Sequence, residues 1–118
     1  MSEIHLFDKS EDAVIYAPGQ VVFREGDPAE HLYAIVSGAV DVIVRDKVVD
    51  TIGPASVVGE MALIEDRPRN ATVVAKVESR LVPITRHRFL FLVQQTPFFS
   101  IQLMSVMAAR LRKMDERV

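Results

Sequence analysis

The sequence predicts a mainly β domain, a small barrel or jelly roll, closed by C-terminal helices. Three observations predict it. Short runs of Val, Ile, Phe and Tyr recur through the first two thirds of the 118 residues, each ended by Gly, Pro or Asp. Val40, Val42 and Val44 alternate with Asp41, Ile43 and Arg45, the period of two expected of a half-buried strand. Beyond Thr85 the period becomes helical, and from Phe98 to Arg117 there is neither glycine nor proline. Many short strands with closely spaced turn signals fit a small closed sheet better than an open one. The expectation is one domain over 1–118, with a β-roll over about 12–85 and helices over about 86–118. A chain of this length can bury one core without covalent staples.

The elements follow in order. A short polar segment opens the chain, with a turn of helix around Ile4 to Phe7. Val14-Ile15-Tyr16 is a strand stopped by Pro18-Gly19, and Val21-Val22-Phe23 is one stopped by Gly26-Asp27-Pro28. Leu32 to Val36 ends at Ser37-Gly38. Val40 to Val44 turns through Arg45-Asp46-Lys47 into Val48 to Ile52, which ends at Gly53-Pro54. Ser79 to Thr85 reads as the last strand. Arg86 to Gln95 has Phe89, Leu90, Leu92 and Val93 at helical spacing. Thr96-Pro97 then supplies an N-cap and a first-turn proline for a second helix of ~20 residues, ~30 Å long.

Composition removes several function classes. Fourteen basic and sixteen acidic residues leave a formal charge of −2, whereas a general nucleic-acid-binding surface is plainly basic. With no cysteine, disulfides, thiolate-ligated clusters and thiol catalysis are out. The first twelve residues carry Glu3, Asp8, Glu11 and Asp12 and no sustained apolar run, unlike a signal peptide. Phe89 to Val93 is far too short to span a bilayer, so a cytoplasmic location without a membrane partner is expected. His5, His31 and His87 are widely spaced and form no metal-ligand pattern. Ser37 and Ser56 have no nearby histidine to serve as base. No catalytic residue, no metal and no cofactor are expected, and the protein is not read as an enzyme.

The informative stretch is Gly59 to Ala75. Gly59-Glu60 precedes Met61-Ala62-Leu63-Ile64 at helical spacing; a charged turn, Glu65-Asp66-Arg67-Pro68, leads to Arg69 and the β-branched run Thr72-Val73-Val74. A helix N-terminus presents free N–H donors and partial positive charge. A guanidinium returning to the same place about ten residues later can take two phosphate oxygens bidentately. Glu60 would repel that phosphate, and as an acceptor it suits a sugar hydroxyl. Together these describe a cradle for a ribose and its phosphate. The plainer alternatives are that Glu60 only stabilises its helix and that Arg69 pairs with Glu65 or Asp66.

Gly59, Glu60, Met61, Ala62, Leu63, Arg69, Ala71 and Thr72 resemble the phosphate-binding cassette of cyclic-nucleotide-binding domains, G-E-[LM]-[AS]-L followed by R-x-[AST]. The resemblance extends to residues 18–40 and covers most of the chain. It implies a double-stranded β-helix, a jelly-roll-like β-roll with a short inserted phosphate-binding helix. It also implies a sensor for cAMP, with cGMP as the alternative. Glu60 would accept the ribose 2′-hydroxyl and Arg69 would clamp the exocyclic phosphate oxygens. The backbone amides near Ala62 and Asn70 would complete the anion site, with Ile64 and Val73 as apolar walls. Asn70 follows the cassette arginine, where a hydroxyl is often found when guanine is favoured. Met114 falls where catabolite-activator-type proteins place a threonine against adenine, and would form an apolar lid. Those regulators continue into a helix-turn-helix domain; without a recognition helix no direct DNA contact is expected. The rival expectations are a β-roll interaction module without ligand, or the sensor fragment of a larger transcription regulator. Leu103, Met107, Leu111, Met114 and Val118 repeat every three or four residues, a seam expected to form a homodimer along the last helix.

Overall fold

The computed structural model describes residues 3–115. Its elements are β1 (Val14–Tyr16), β2 (Val21–Phe23), β3 (His31–Ser37), β4 (Val40–Val44), β5 (Lys47–Ile52), β6 (Ser56–Val58), α1 (Glu60–Glu65), β7 (Thr72–Ala75), β8 (Ser79–Thr85), α2 (Arg86–Gln95) and α3 (Pro97–Asp115). The strands make two four-stranded antiparallel sheets, ordered β1-β8-β3-β6 and β2-β7-β4-β5. This is the β-roll with C-terminal helices that the turn spacing and period change anticipate. Because neighbours in each sheet come from both ends of the roll, the β2–β3 loop and the α1–β7 segment meet on one side.

Two apolar clusters hold the layers. Leu32 and Ala34 of β3, with Val82 and Ile84 of β8, face α2 and α3 and meet Phe89, Phe99, Leu103 and Val106. Ile35 and Leu81 face the other way, into the space between the sheets, with Phe23, Val40, Ile52, Val58 and Val73. Burial on both faces explains why β3 and β8 read as continuous apolar runs rather than alternating ones. Ile35 pairs Leu81 and Ala34 pairs Val82, and a bulge follows before Ser37 meets Arg80.

Four local expectations need correction. The N-terminal segment is a hydrogen-bonded turn, closed by Asp8 N donating to His5 O at 3.2 Å, and not a turn of helix. Its Ile4 and Phe7 are buried, with Phe7 edge-on to Phe99 at 6.1 Å. Strand β6 was not anticipated: three residues carry no periodicity, yet Val57 and Val58 are buried and the strand pairs with β3. The β4–β5 turn uses only Arg45 and Asp46, both at positive φ (52° and 67°), while Lys47 already pairs Val44. That mirror-image backbone matches the twist of a hairpin.

The fourth correction concerns α3. At 3.6 residues per turn, Phe99, Leu103, Val106, Met107, Arg110, Lys113 and Met114 share one face, and that face turns toward the chain's own β-roll. Leu103 is buried and Met107 packs against the same core. Leu111, 62% exposed, lies on the other side, and Val118 is outside the described residues. The expected seam is therefore divided. The outward apolar face consists of Phe98, Ile101, Met104 and Leu111, all exposed, with half-buried Ala108 between them. Helix α2 joins α3 at a bend of 111°, and among the described residues no single helix is long and apolar enough to cross a membrane.

One glycine is indispensable to the roll. Gly38 turns β3 into β4 at φ +88°, and a Cβ there would lie 2.6 Å from Glu78 O and 2.7 Å from Ser79 Cα. The left-handed backbone costs an L-residue about 1–2 kcal/mol, and the clash is with main chain that cannot swing away. Gly38→Ala is expected to destabilise the domain by roughly 2 kcal/mol or more, read as a lowered denaturation midpoint in urea.

Candidate functional site

The loop geometry begins with Gly59. It links β6 to α1 at φ +85°, and a Cβ there would stand 2.6 Å from Arg69 Nη1 and 3.1 Å from Phe23 Cε2. Only glycine leaves room for the guanidinium. Arg69 itself is held from the other side, where Gly26 N donates to Arg69 O at 2.8 Å and Arg69 N donates to Asp27 O at 2.9 Å. The cassette is thus fastened to the β2–β3 loop, and Glu25 N adds a bond to Thr72 Oγ1 at 3.0 Å.

Arg69 is 4% exposed. Its Nη1 donates to Gly59 O at 2.9 Å, its Nη2 donates to His31 O, and its Cζ sits 3.9 Å from the centroid of the Phe23 ring. Phe23 in turn stacks on Tyr33 at 5.9 Å. Among the described residues no carboxylate forms an ion pair with Arg69, and its buried Nε has no hydrogen-bond partner. Burial lowers its pKa from the ordinary value, opposed by Tyr33, Asp27 and Glu60, but a guanidinium stays charged at neutral pH. A buried cation with two carbonyls, an aromatic face and no counterion is electrostatically incomplete. The surface pairing considered for Arg69 does not form. Asp66 pairs with Arg86 instead, at 3.1 Å.

Glu60 is 2% exposed and opens α1, where a carboxylate is favoured by the helix dipole. It does more than that. Arg110 of α3 ion-pairs Glu60 through Nη1, while its Nη2 donates to Ser56 Oγ at 3.1 Å and to Val57 O. Arg110 was missed in the sequence, because which face of α3 points inward is not readable from its periodicity. Three residues further on, Lys113 Nζ lies 2.6 Å from Asp50 Oδ1 on β5.

These elements enclose a cleft of about 330 Å³, within the range of small-molecule sites, roughly 300–1,000 Å³. Gly59, Glu60, Met61, Ala62, Arg69, Asn70, Ala71, Val73 and Met114 all line it. The expected residues, separated by up to 55 positions, are therefore brought together. Ile64 is the exception: it is 47% exposed and does not line the cleft. As the sixth-last residue of the Gly59–Arg69 loop it faces outward on a two-turn helix whose inner face is taken by Ala62 and Leu63. Val42, Val44, Val49 and Ile52 add apolar walls, with Asp50, Arg110 and Lys113 as further polar groups. Among the described residues no cluster of His, Asp or Glu is suited to a metal ion.

Comparison with known proteins agrees with this geometry. The cyclic nucleotide-binding domain family matches residues 13–96. A "CRP-like cAMP-activated global transcriptional regulator" of Mycobacterium tuberculosis is 30% identical over 122 residues, covering 99% of this chain and 54% of its own. The "Cyclic AMP receptor protein" of Thermus thermophilus is 29% identical over 106 residues, covering 86% and 49%. The chain thus spans about half the length of these curated relatives. The c-di-GMP responsive global regulator CLP of Xanthomonas campestris superposes with a TM-score of 0.79 at 29% identity, covering 88% of this chain and 56% of that one.

Proposed function

This chain belongs to the cyclic nucleotide-binding domain family, and from that premise we propose that it is a non-catalytic sensor for cAMP. The observation that carries the reading is Arg69: a buried guanidinium with no ion pair among the described residues, in one cleft with the acceptor Glu60. Arg69 clamps the exocyclic phosphate oxygens of the ligand, helped by the backbone amides near Ala62 and Asn70. The ribose 2′-hydroxyl donates to Glu60. Because Glu60 already pairs with Arg110 of α3, a hydroxyl arriving there alters the contact that holds α3 over the cleft. Occupancy is relayed by that route. Met114, which lines the cleft while 60% exposed, serves as the apolar lid in this reading. The names of the relatives include both cAMP and c-di-GMP, so the choice of nucleotide rests on this chain's own residues.

The relay has an outlet. Ile101, Met104, Ala108 and Leu111 are spaced by three, four and three residues on the outward face of α3, the pattern of a helix-pairing seam. We propose a homodimer through this face, replacing the seam first read from the sequence.

Three outcomes test these proposals. Arg69→Lys keeps the charge but loses the fork, and with one or two charge-assisted bonds lost, at roughly 1.5–3 kcal/mol each, cAMP binds at least tenfold more weakly by calorimetry. Wild-type affinity in a folded Arg69→Lys protein refutes the phosphate clamp. Glu60→Gln weakens cAMP, and the loss shrinks for 2′-deoxy cyclic AMP, since either change removes the same bond. Zero coupling between the two changes leaves Glu60 to its helix and its pairing with Arg110, with no bond to the ribose. Met104→Glu, at an exposed position, yields a monomer by light scattering with the fold unchanged, because a carboxylate in an apolar seam is costly. A wild-type monomer at tens of micromolar, with and without cAMP, removes the dimer.

A further inference from the structure

An arginine fork takes two phosphate oxygens only when its plane is held at the right tilt. A paired carboxylate can hold that plane, but Arg69 forms no ion pair among the described residues. It has two protein hydrogen bonds, from Nη1 to Gly59 O and from Nη2 to His31 O. The N–H donors of a guanidinium lie in its plane, so these bonds fix where the group sits and how it is turned within that plane. They leave one freedom, a tilt about the line that joins the two carbonyls. Nε adds no further anchor, since it has no hydrogen-bond partner among the described residues.

What stops the tilt is a surface facing the plane, and Phe23 supplies it. Arg69 Cζ lies 3.9 Å from the centroid of the Phe23 ring, a separation that atoms in contact reach over the face of a ring and not at its edge. The ring is itself braced. Phe23 is buried in a cluster with Ile35, Val58 and Val73, and it stacks on Tyr33 at 5.9 Å with 28° between the planes. Tyr33 stands on β3 two residues from His31, whose carbonyl takes Nη2. A Cβ on Gly59 would meet both partners, Arg69 Nη1 at 2.6 Å and Phe23 Cε2 at 3.1 Å. The missing side chain of Gly59 therefore serves the pair and not the arginine alone.

We propose that Phe23 is the positioning residue of the phosphate clamp: its ring, braced by Tyr33, sets the tilt of the Arg69 fork before the ligand arrives. The inference rests on the cyclic-nucleotide reading above and deepens it. The negative face of the ring attracts the cation and takes the place of a carboxylate. A carboxylate there would compete with the ligand's phosphate for the same N–H donors, whereas an aromatic face holds the cation and occupies none of them. A fork oriented in advance loses less binding energy to its own ordering, and that is where Phe23 acts on affinity.

A ring that only fills the core would not respond to the charge on its face, and the test uses that difference. Phe23 is replaced in the full chain by mono-, di- and trifluorinated phenylalanine, which drains the face and nearly keeps the shape. Binding of cAMP and cGMP is measured by competition, which reaches weak affinities. Affinity for cAMP is expected to fall stepwise with fluorine number, to about tenfold below wild type with three, the order of a desolvated cation–π contact. Affinity for cGMP is expected to fall by the same factor, because the two ligands share their phosphate and differ only in the base. Phe23→Leu, which removes the face altogether, is expected to lose at least as much, and the fluorinated series decides even if this variant fails to fold. A flat series in proteins with native circular dichroism assigns Phe23 to packing and overturns the proposal while leaving the cyclic-nucleotide reading standing. A loss confined to one nucleotide does the same, since it places the ring against the base. Failure of wild type to bind either nucleotide overturns both.

Discussion

A buried cation that forms no ion pair among the described residues is the constraint on which the rest of this molecule depends. Arg69 is enclosed by Phe23, Gly59 and the β2–β3 loop, and it gives one donor of each Nη to the carbonyls of Gly59 and His31, keeping the other of each for a ligand. Those carbonyls and the aromatic face offset part of the desolvation cost, but none carries a full negative charge. The surrounding structure is built to tolerate this. Gly59 omits a side chain where the guanidinium passes, and two backbone bonds to Gly26 and Asp27 fix the main chain from which Arg69 projects. An arrangement of this kind is expensive to the apo fold and is complemented by an anion.

The second dependency runs from the cleft to α3. Its inward face changes character along its length: Phe99, Leu103 and Val106 belong to the apolar core, whereas Arg110, Lys113 and Met114 line the cleft. The helix is thus anchored at one end by hydrophobic burial and fastened at the other by ion pairs to Glu60 and Asp50. Apolar packing responds little to a polar ligand, but ion pairs whose carboxylates face a binding cleft respond directly. The position of α3 is set where the ligand would sit.

Much of the fold was legible in the residues because the signals are local. Turn residues bracket β1, β2, β3 and β5, and the change of period at Thr85 marks the first residue before α2. Where signals were too short or too sparse they failed. Strand β6 has three residues and no alternation, and Ile4 and Phe7 are two apolar residues in a polar segment whose burial depends on a partner, Phe99, more than ninety positions away. The cleft residues from Gly59 to Ala71 were also legible, since their chemistry and spacing lie within one stretch.

What the sequence by itself determined, then, is the order of elements and the cassette, both consequences of backbone preference and spacing over a few residues. Tertiary structure alone decided which face of α3 points inward. Leu103, Met107 and Met114 satisfy a pairing seam as well as a core contact, and periodicity cannot say which surface covers an apolar stripe. Only the placement of α3 against β3 and β8 directs Leu103 inward, brings Arg110 to Glu60, fifty positions away, and Lys113 to Asp50, sixty-three away. Pairings at that separation are set by packing of the whole roll, for which no local stretch of sequence carries the information.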